Sequence, residues 1–159
     1  MTQQQDLLST ALSRLSMPPM RTDKPVIIVA AGGRAETSAF FDVLCEFFPL
    51  VYISKRIIGD LPKELLIGLC RRIIEQGVCP FLEAADIHQS RFSDLGEVNV
   101  PLHLVWVADS SKDQLTRSAK DRMEWLMSSM GLGEFYLVDP SEDLYPQIFS
   151  LPFLPGERR

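Results

Sequence analysis

The fold of this chain is indicated most clearly by residues 26–38, which read VIIVAAGGRAETS. The first five residues are a continuous apolar run, the pattern of a central strand that is buried on both faces. A tight glycine-containing loop follows, and apolar side chains then recur at helical spacing at Phe40, Val43, Leu44 and Phe47. A buried strand, a short loop and a helix in this order predict the start of a β-α-β unit.

The same alternation of strand and helix continues along the chain. Strands are predicted at residues 50–53, 102–108 and 135–138, and helices of ten or more residues alternate with them. Residues 78–82 indicate one more short strand, which Pro80 makes either an edge strand or an extended loop. We therefore predict an α/β fold, a three-layer sandwich with a mainly parallel sheet of four or five strands, Rossmann-like or P-loop-like.

The length of 159 residues fits one domain of ordinary size. We expect an amphipathic N-terminal helix and linker at residues 1–20 and an α/β domain at residues 21–140. The remaining residues, 141–159, form an apolar C-terminal tail that we expect to pack on the domain or on a partner. Residues 83–100 are polar, and their pattern indicates at most a short helix.

Charge and composition narrow the classes of function. The formal net charge of −5 disfavours a dedicated nucleic-acid-binding protein, which needs a basic surface for phosphates. It also disfavours an electrostatic membrane anchor, and no apolar run approaches the ~20 residues of a membrane span. Cys45 and Cys70 lie in apolar helical patterns and are interpreted as small buried side chains in a reducing compartment. Because no signal-peptide pattern opens the chain, we expect a cytoplasmic protein.

The loop after the first strand is the first place to look for a ligand. In open α/β sheets, ligands bind where loops leave the carboxyl ends of the strands, and such a loop can direct backbone N–H groups at an anion. Residues 32–38 resemble the phosphate loop of the partition-type, deviant Walker A ATPases. That resemblance implies a magnesium-binding hydroxyl at Thr37 and an acid, Asp109, that holds the ion through water. The candidate nucleotide-binding residues are therefore Gly32, Gly33, Arg34, Thr37, Ser38 and Asp109.

The loop departs from the family's pattern at several positions, and the family's second, earlier lysine is missing because Ala30 and Ala31 precede the glycines. Ala35 replaces the glycine that lets the backbone approach phosphate, and Glu36 replaces the lysine. A carboxylate at position 36 repels the β- and γ-phosphates, and only Arg34 supplies positive charge nearby. We therefore expect a degenerate phosphate loop and no bound cofactor.

Other reactive side chains do not form a recognisable site. Cys79, Glu83, Asp86 and His88 lie within ten residues, but no pair has a known zinc-ligand spacing. No set of a nucleophile, a general base and a residue that orients the base can be recognised in the sequence. The sequence therefore predicts no catalytic residue and no metal site.

Two further features have alternative readings. Lys55 and Arg56, after the second strand, are interpreted as solvated charges, with a phosphate such as that of NADP as the alternative ligand. Trp106 and Trp125 are interpreted as core residues, with an exposed interface anchor as the alternative for Trp125.

These observations favour a non-enzymatic regulatory or adaptor protein that acts through contacts with a protein partner or as a homo-oligomer. Apolar side chains at residues 148–154 are the expected contact surface, and the helix at residues 1–17 is a second candidate, for which packing back on the domain is the favoured interpretation. The alternative function is a small nucleotide- or phosphate-binding enzyme that uses the loop at residues 31–38 with Arg34, Thr37 and Asp109.

Overall fold

The structure is a computed structural model that describes residues 3–84, 92–109 and 117–152. Within these residues, the sheet consists of β1 (Ile27–Gly32), β2 (Leu50–Ile53), β3 (Cys79–Glu83), β4 (Leu102–Val107) and β5 (Tyr136–Val138). The strands lie in the order β2-β3-β1-β4-β5, and all neighbouring strands are parallel. The predicted α/β fold with a parallel sheet and helices on its two faces is therefore confirmed, with five strands.

Helices flank the sheet on both faces. The described residues contain α1 (Gln3–Ser13), α2 (Arg34–Leu44), α3 (Lys55–Asp60), α4 (Lys63–Glu75), α5 (Arg117–Ser129) and α6 (Leu144–Phe149). A 3-10 helix at Leu95–Val98 lies in the polar region before β4 and accounts for part of it. Helix α3, next to α4, is a short element that the sequence pattern does not reveal.

The sheet separates two hydrophobic cores. On one face, Phe40 and Leu44 of α2 and Ile148 of α6 pack on Ile28 of β1 and Val105 of β4. The other face is covered by a larger set of residues, which includes Leu8 of α1, Leu66, Leu69 and Ile73 of α4, Met123 and Leu126 of α5, and Met130 just after α5. Thus α2 and α6 lie on one side of the sheet, and α1, α4 and α5 lie on the other.

The position of β3 corrects one expectation from the sequence. Despite Pro80, β3 is an internal strand that lies between β2 and β1. The backbone N–H of Cys79 donates to the Pro49 carbonyl on the β2 side, and pairing with β1 begins only at Phe81. Successive residues of a strand direct their hydrogen bonds to opposite sides, so a backbone N–H at position 80 would point towards β1. Position 80 lies just before the pairing with β1 begins, so the lack of an N–H in Pro80 is tolerated there.

Both ends of the chain pack on the domain within the described residues. Helix α1 buries Leu8 and Ala11 on the side of the sheet that carries α4, and α1 packs against α4. At the other end, Ile148 is fully buried and Leu151 nearly so. Residues 153–159, the end of the tail, lie outside the described residues. No helix within the described ranges has the length and hydropathy that a membrane span requires.

Candidate functional site

The loop between β1 and α2 is very short. β1 ends at Gly32 and α2 begins at Arg34, so Gly33 alone joins the two elements. Gly32 has a φ of +148°, and a Cβ at this position would overlap the Val107 carbonyl oxygen of β4. Glycine is therefore required here for close packing of two strands. A loop of one residue cannot wrap a phosphate as an extended glycine-rich loop does.

The Glu36 side chain turns back over this loop. Glu36 is the third residue of α2, the position from which a glutamate reaches back to the N-cap residue. A Cβ added to Gly33 would overlap Oε1 of Glu36, so the carboxylate lies directly against the Gly33 backbone. The N-terminus of α2, which favours an anion, thus already has a carboxylate from its own chain beside it.

Thr37, the candidate magnesium ligand, is fully buried. Its hydroxyl lies 3.0 Å from the Gly33 carbonyl oxygen and 3.1 Å from that of Arg34, and it is placed to donate to them. The Tyr52 hydroxyl lies 3.5 Å away on its other side. The Thr37 hydroxyl therefore contacts the interior of the loop and β2, and it does not face solvent.

The other candidate residues are spread along the same edge of the sheet. Arg34 is exposed, and Ser38 and Asp109 are half-buried. Asp109 lies two residues after the end of β4, which pairs with β1 through Gly32 and Val107. The structure thus brings Asp109 to the same edge as the loop, while Thr37 points inwards and Glu36 lies over Gly33.

A buried carboxylate lies near this loop, on a residue that the sequence indicated only as a possible metal ligand. Glu83, the last residue of β3, is fully buried, and its Oε1 accepts a hydrogen bond of 2.9 Å from the Lys55 backbone N–H. Within the described residues, Glu83 Oε2 has no hydrogen-bond partner. Burial raises the pKa of the neighbouring Tyr52 phenol, and the Glu83 carboxylate adds to this shift. The sequence contained one signal for this buried group, an acidic residue at the end of an apolar run. Pro80 hid that signal, because it argued against an internal strand at these positions.

The cysteines are poor candidates for nucleophiles. Complete burial raises the pKa of Cys70 to about 12, and burial also raises the pKa of Cys79 and of Cys45. The reactive form of cysteine is the thiolate, which these environments disfavour. In the described part of the chain, no three His, Cys, Asp or Glu side chains come together as metal ligands; Asp86 and His88 lie outside the described residues.

A cluster of aromatic and acidic side chains lies on the outer surface of α2 and α6. The Phe47 ring contacts Tyr145 and Phe149 edge-on, with centroid separations of 6.1 and 5.0 Å. Tyr145 and Phe149 are nevertheless 40% and 47% exposed. We call this surface the α2–α6 patch and define it as Phe47, Tyr145 and Phe149 with the exposed acids Asp42, Glu46, Glu142 and Asp143.

A second surface feature lies on α5, on the opposite side of the sheet. Trp125 is 54% exposed, so its interpretation as a core residue is wrong. It borders an open hollow of about 530 Å³, which we call the α5 hollow, lined by Arg117, Ser118, Asp121, Arg122 and Trp125. Trp106, by contrast, is buried and packs against Phe135, as expected for a core residue.

Comparison with known proteins gives little further information. No family model matches this chain, and no curated protein matches it. Among solved structures, a chain described as "Crystal structure of APE1195" shares 12% sequence identity with it. That match covers 81% of this chain and 93% of the other, with a TM-score of 0.45. None of these comparisons bears on the resemblance to partition-type ATPases or on function.

Proposed function

We propose that this protein is a non-enzymatic regulatory or adaptor domain that acts through contacts with proteins, and that the α2–α6 patch is its docking surface. The observation that carries this proposal is the exposure of Tyr145 and Phe149, at 40% and 47%, although other side chains hold both rings in place. Aromatic residues dominate binding energy at protein interfaces. Rings that are already ordered lose less conformational entropy when a partner binds.

The state of the loop at residues 32–38 supports a function without nucleotide. The Glu36 carboxylate lies against Gly33, where it repels an incoming phosphate. The Thr37 hydroxyl is engaged by backbone carbonyls, and a one-residue loop offers few converging N–H groups. Burial likewise disfavours the reactive thiolate form of Cys70 and Cys79, so the proposed function does not depend on them.

The proposal is tested by comparing three versions of the intact chain. Wild-type protein, Phe149→Ser and the control Leu137→Ser are used to capture proteins from a lysate, and each captured protein is then purified and titrated by calorimetry. Leu137 is a suitable control because it is 51% exposed but lies on β5, away from the patch. We expect Phe149→Ser to weaken binding by roughly tenfold or more, and Leu137→Ser to leave it unchanged. Equal binding by all three versions would refute this docking surface.

A further inference from the structure

We propose that the α2–α6 patch of one molecule binds the α5 hollow of a second copy of this chain, so that copies associate head to tail. This inference rests on the proposed function, because it names the partner of the same patch. It follows from the charge of the two surfaces, from their aromatic content and from their positions on the sheet.

The α2–α6 patch lies in two segments of the chain that are rich in acidic residues. Residues 35–54 and 130–152, which include all of its members, contain no lysine or arginine. Asp42, Glu46, Glu142 and Asp143 are all exposed. Glu46 accepts from the Tyr145 hydroxyl and Asp143 from the Tyr145 backbone N–H, so both carboxylates are held beside the exposed rings. A fitting partner therefore presents positive charge and an aromatic or apolar side chain together.

The α5 hollow has this composition. Arg117 and Arg122 provide two guanidinium groups against the single carboxylate of Asp121. Within the described residues, no ion pair engages either arginine. Trp125 lies beside them with more than half of its surface exposed. Arginine and tryptophan are both enriched among the residues that dominate interface energies.

The two surfaces are complementary in charge and in aromatic content. Arg122 and Arg117 can pair with Glu142 and Asp143 through charge-assisted hydrogen bonds. Trp125 supplies a large aromatic face for Phe149 or Tyr145, in the edge-on or offset arrangements that aromatic pairs prefer. Because the charged groups are exposed, the attraction is screened by salt, and the association should weaken as ionic strength rises.

The fold prevents these surfaces from meeting within one molecule. Helix α6 packs in the core on one face of the sheet through Ile148, and α5 packs in the core on the other face through Met123 and Leu126. Each molecule therefore offers one donor and one acceptor surface in different directions. A contact of this kind is heterologous, so it adds copies in a chain or ring and does not stop at a two-fold dimer.

The test uses two charge reversals that each disable one surface. Arg122→Glu changes the hollow, and Glu142→Arg changes the patch without removing the Asp143 cap of α6. Arg72→Glu and Glu75→Arg, on exposed positions of α4, are controls with the same changes in net charge. Molar mass is measured by light scattering and sedimentation, from micromolar to millimolar concentration at low salt, after circular dichroism has established that each variant is folded.

We expect the wild type and both controls to exceed twice the 17.9 kDa monomer mass at high concentration. Each surface variant alone should remain a monomer, while an equimolar mixture of the two should form complexes of at least twice the monomer mass. That result follows because each molecule in the mixture retains one intact surface of the opposite kind. If a reversal unfolds the chain, Arg122→Gln and Glu142→Gln replace it, with roughly tenfold weaker association expected.

Three results would overturn the inference. They are a wild type that stays monomeric throughout, variants that associate as the wild type does, and a mixture that stays monomeric although the wild type associates. A monomeric wild type whose Phe149→Ser variant still loses capture of another protein would leave the proposed function intact. In that case the occupant of the patch is a different protein and not a second copy.

Discussion

The Tyr145 hydroxyl donates to Glu46, with its oxygen 3.0 Å from Oε1 and 2.9 Å from Oε2 of that carboxylate. The contact joins α6 to the end of α2 across 99 positions of the chain. The Phe47 ring packs edge-on against Tyr145. The α2–α6 patch is therefore an ordered surface, in which a side-chain contact fixes the orientation of an exposed ring.

The first prediction concerns this contact. Tyr145→Phe should lower the melting temperature slightly, because it removes the donor while keeping the ring against Phe47. Glu46→Gln should have a similar small effect, and the double variant should add little to either single one, since both remove the same interaction. Thermal melts of the wild type, the two single variants and the double variant complete a double-mutant cycle. Fully additive effects would show that Tyr145 and Glu46 do not interact in solution.

The second prediction compares two adjacent residues of α6. Ile148 is fully buried and Phe149 is nearly half exposed. Ile148→Ala should lower the free energy of unfolding by ~2–5 kcal/mol, because it leaves a cavity in the core under α6. Phe149→Ala should lower it by less than ~1 kcal/mol, since most of the effect of that ring is expected in binding. Urea unfolding measures both, and a reversed ranking would show that α6 does not dock as described.

The third prediction concerns the central strand. Val29 has no exposed surface and pairs with Leu82 of β3 on one side and Leu104 of β4 on the other. Val29→Asp should unfold the domain, because an unpaired buried charge costs several kcal/mol out of a total stability of roughly 5–15 kcal/mol. Leu137→Asp, on the exposed side of β5, should leave a cooperative melt. A cooperatively melting Val29→Asp protein would contradict the assignment of β1 as a buried strand.

Much of the fold could be predicted because it depends on local patterns. The apolar run before Gly32 and the spacing of Phe40, Val43 and Leu44 determine a buried strand and an amphipathic helix, and both occur at those positions. The order of the strands could not be predicted in the same way. The handedness of β-α-β crossovers limits the topologies, but it does not say that β3 inserts between β2 and β1.

The site was harder to predict because it depends on side-chain direction. The sequence shows that Glu36 stands where a lysine is needed, but it does not show that the carboxylate turns back onto Gly33. The apolar tail gave no indication of α6, in which Pro146 lies in the first turn, where a backbone N–H has no helical partner. The exposure of Trp125 follows from its place outside the buried stripe of Met123, Leu126 and Met130.

The fourth prediction concerns pH. Burial lowers the pKa of His103 below its ordinary value of 6.5, although the nearby Glu134 carboxylate opposes this shift. The folded state therefore favours the neutral imidazole. Its contribution to stability is complete above pH ~6.5 and is lost as the pH falls below that value, because the unfolded chain binds the proton more readily. His103→Gln should reduce the loss of melting temperature between pH 7 and pH 5. An unchanged slope would show that His103 titrates normally.

The fifth prediction concerns Glu36. Glu36→Lys should raise the affinity for inorganic phosphate and for Mg-ATP, because it replaces a repelling charge beside Gly33 by an attracting one. Glu36→Gln serves as the control, since it removes the charge and keeps the size of the side chain. We expect the affinity to increase in the order wild type, Gln, Lys, with millimolar binding at best because the loop remains one residue long. A lower phosphate affinity in the Lys variant would mean that Glu36 does not oppose anion binding.

The central claim is that this chain acts through protein contacts and not through a nucleotide at the loop of residues 32–38. Calorimetric titration of the wild-type protein with Mg-ATP and with Mg-GTP tests that claim most directly. The account predicts no heat of binding for either nucleotide up to millimolar concentration, because the Glu36 carboxylate covers Gly33 and the Thr37 hydroxyl is held by the Gly33 and Arg34 carbonyls. Saturable binding of either nucleotide at micromolar concentration would contradict it.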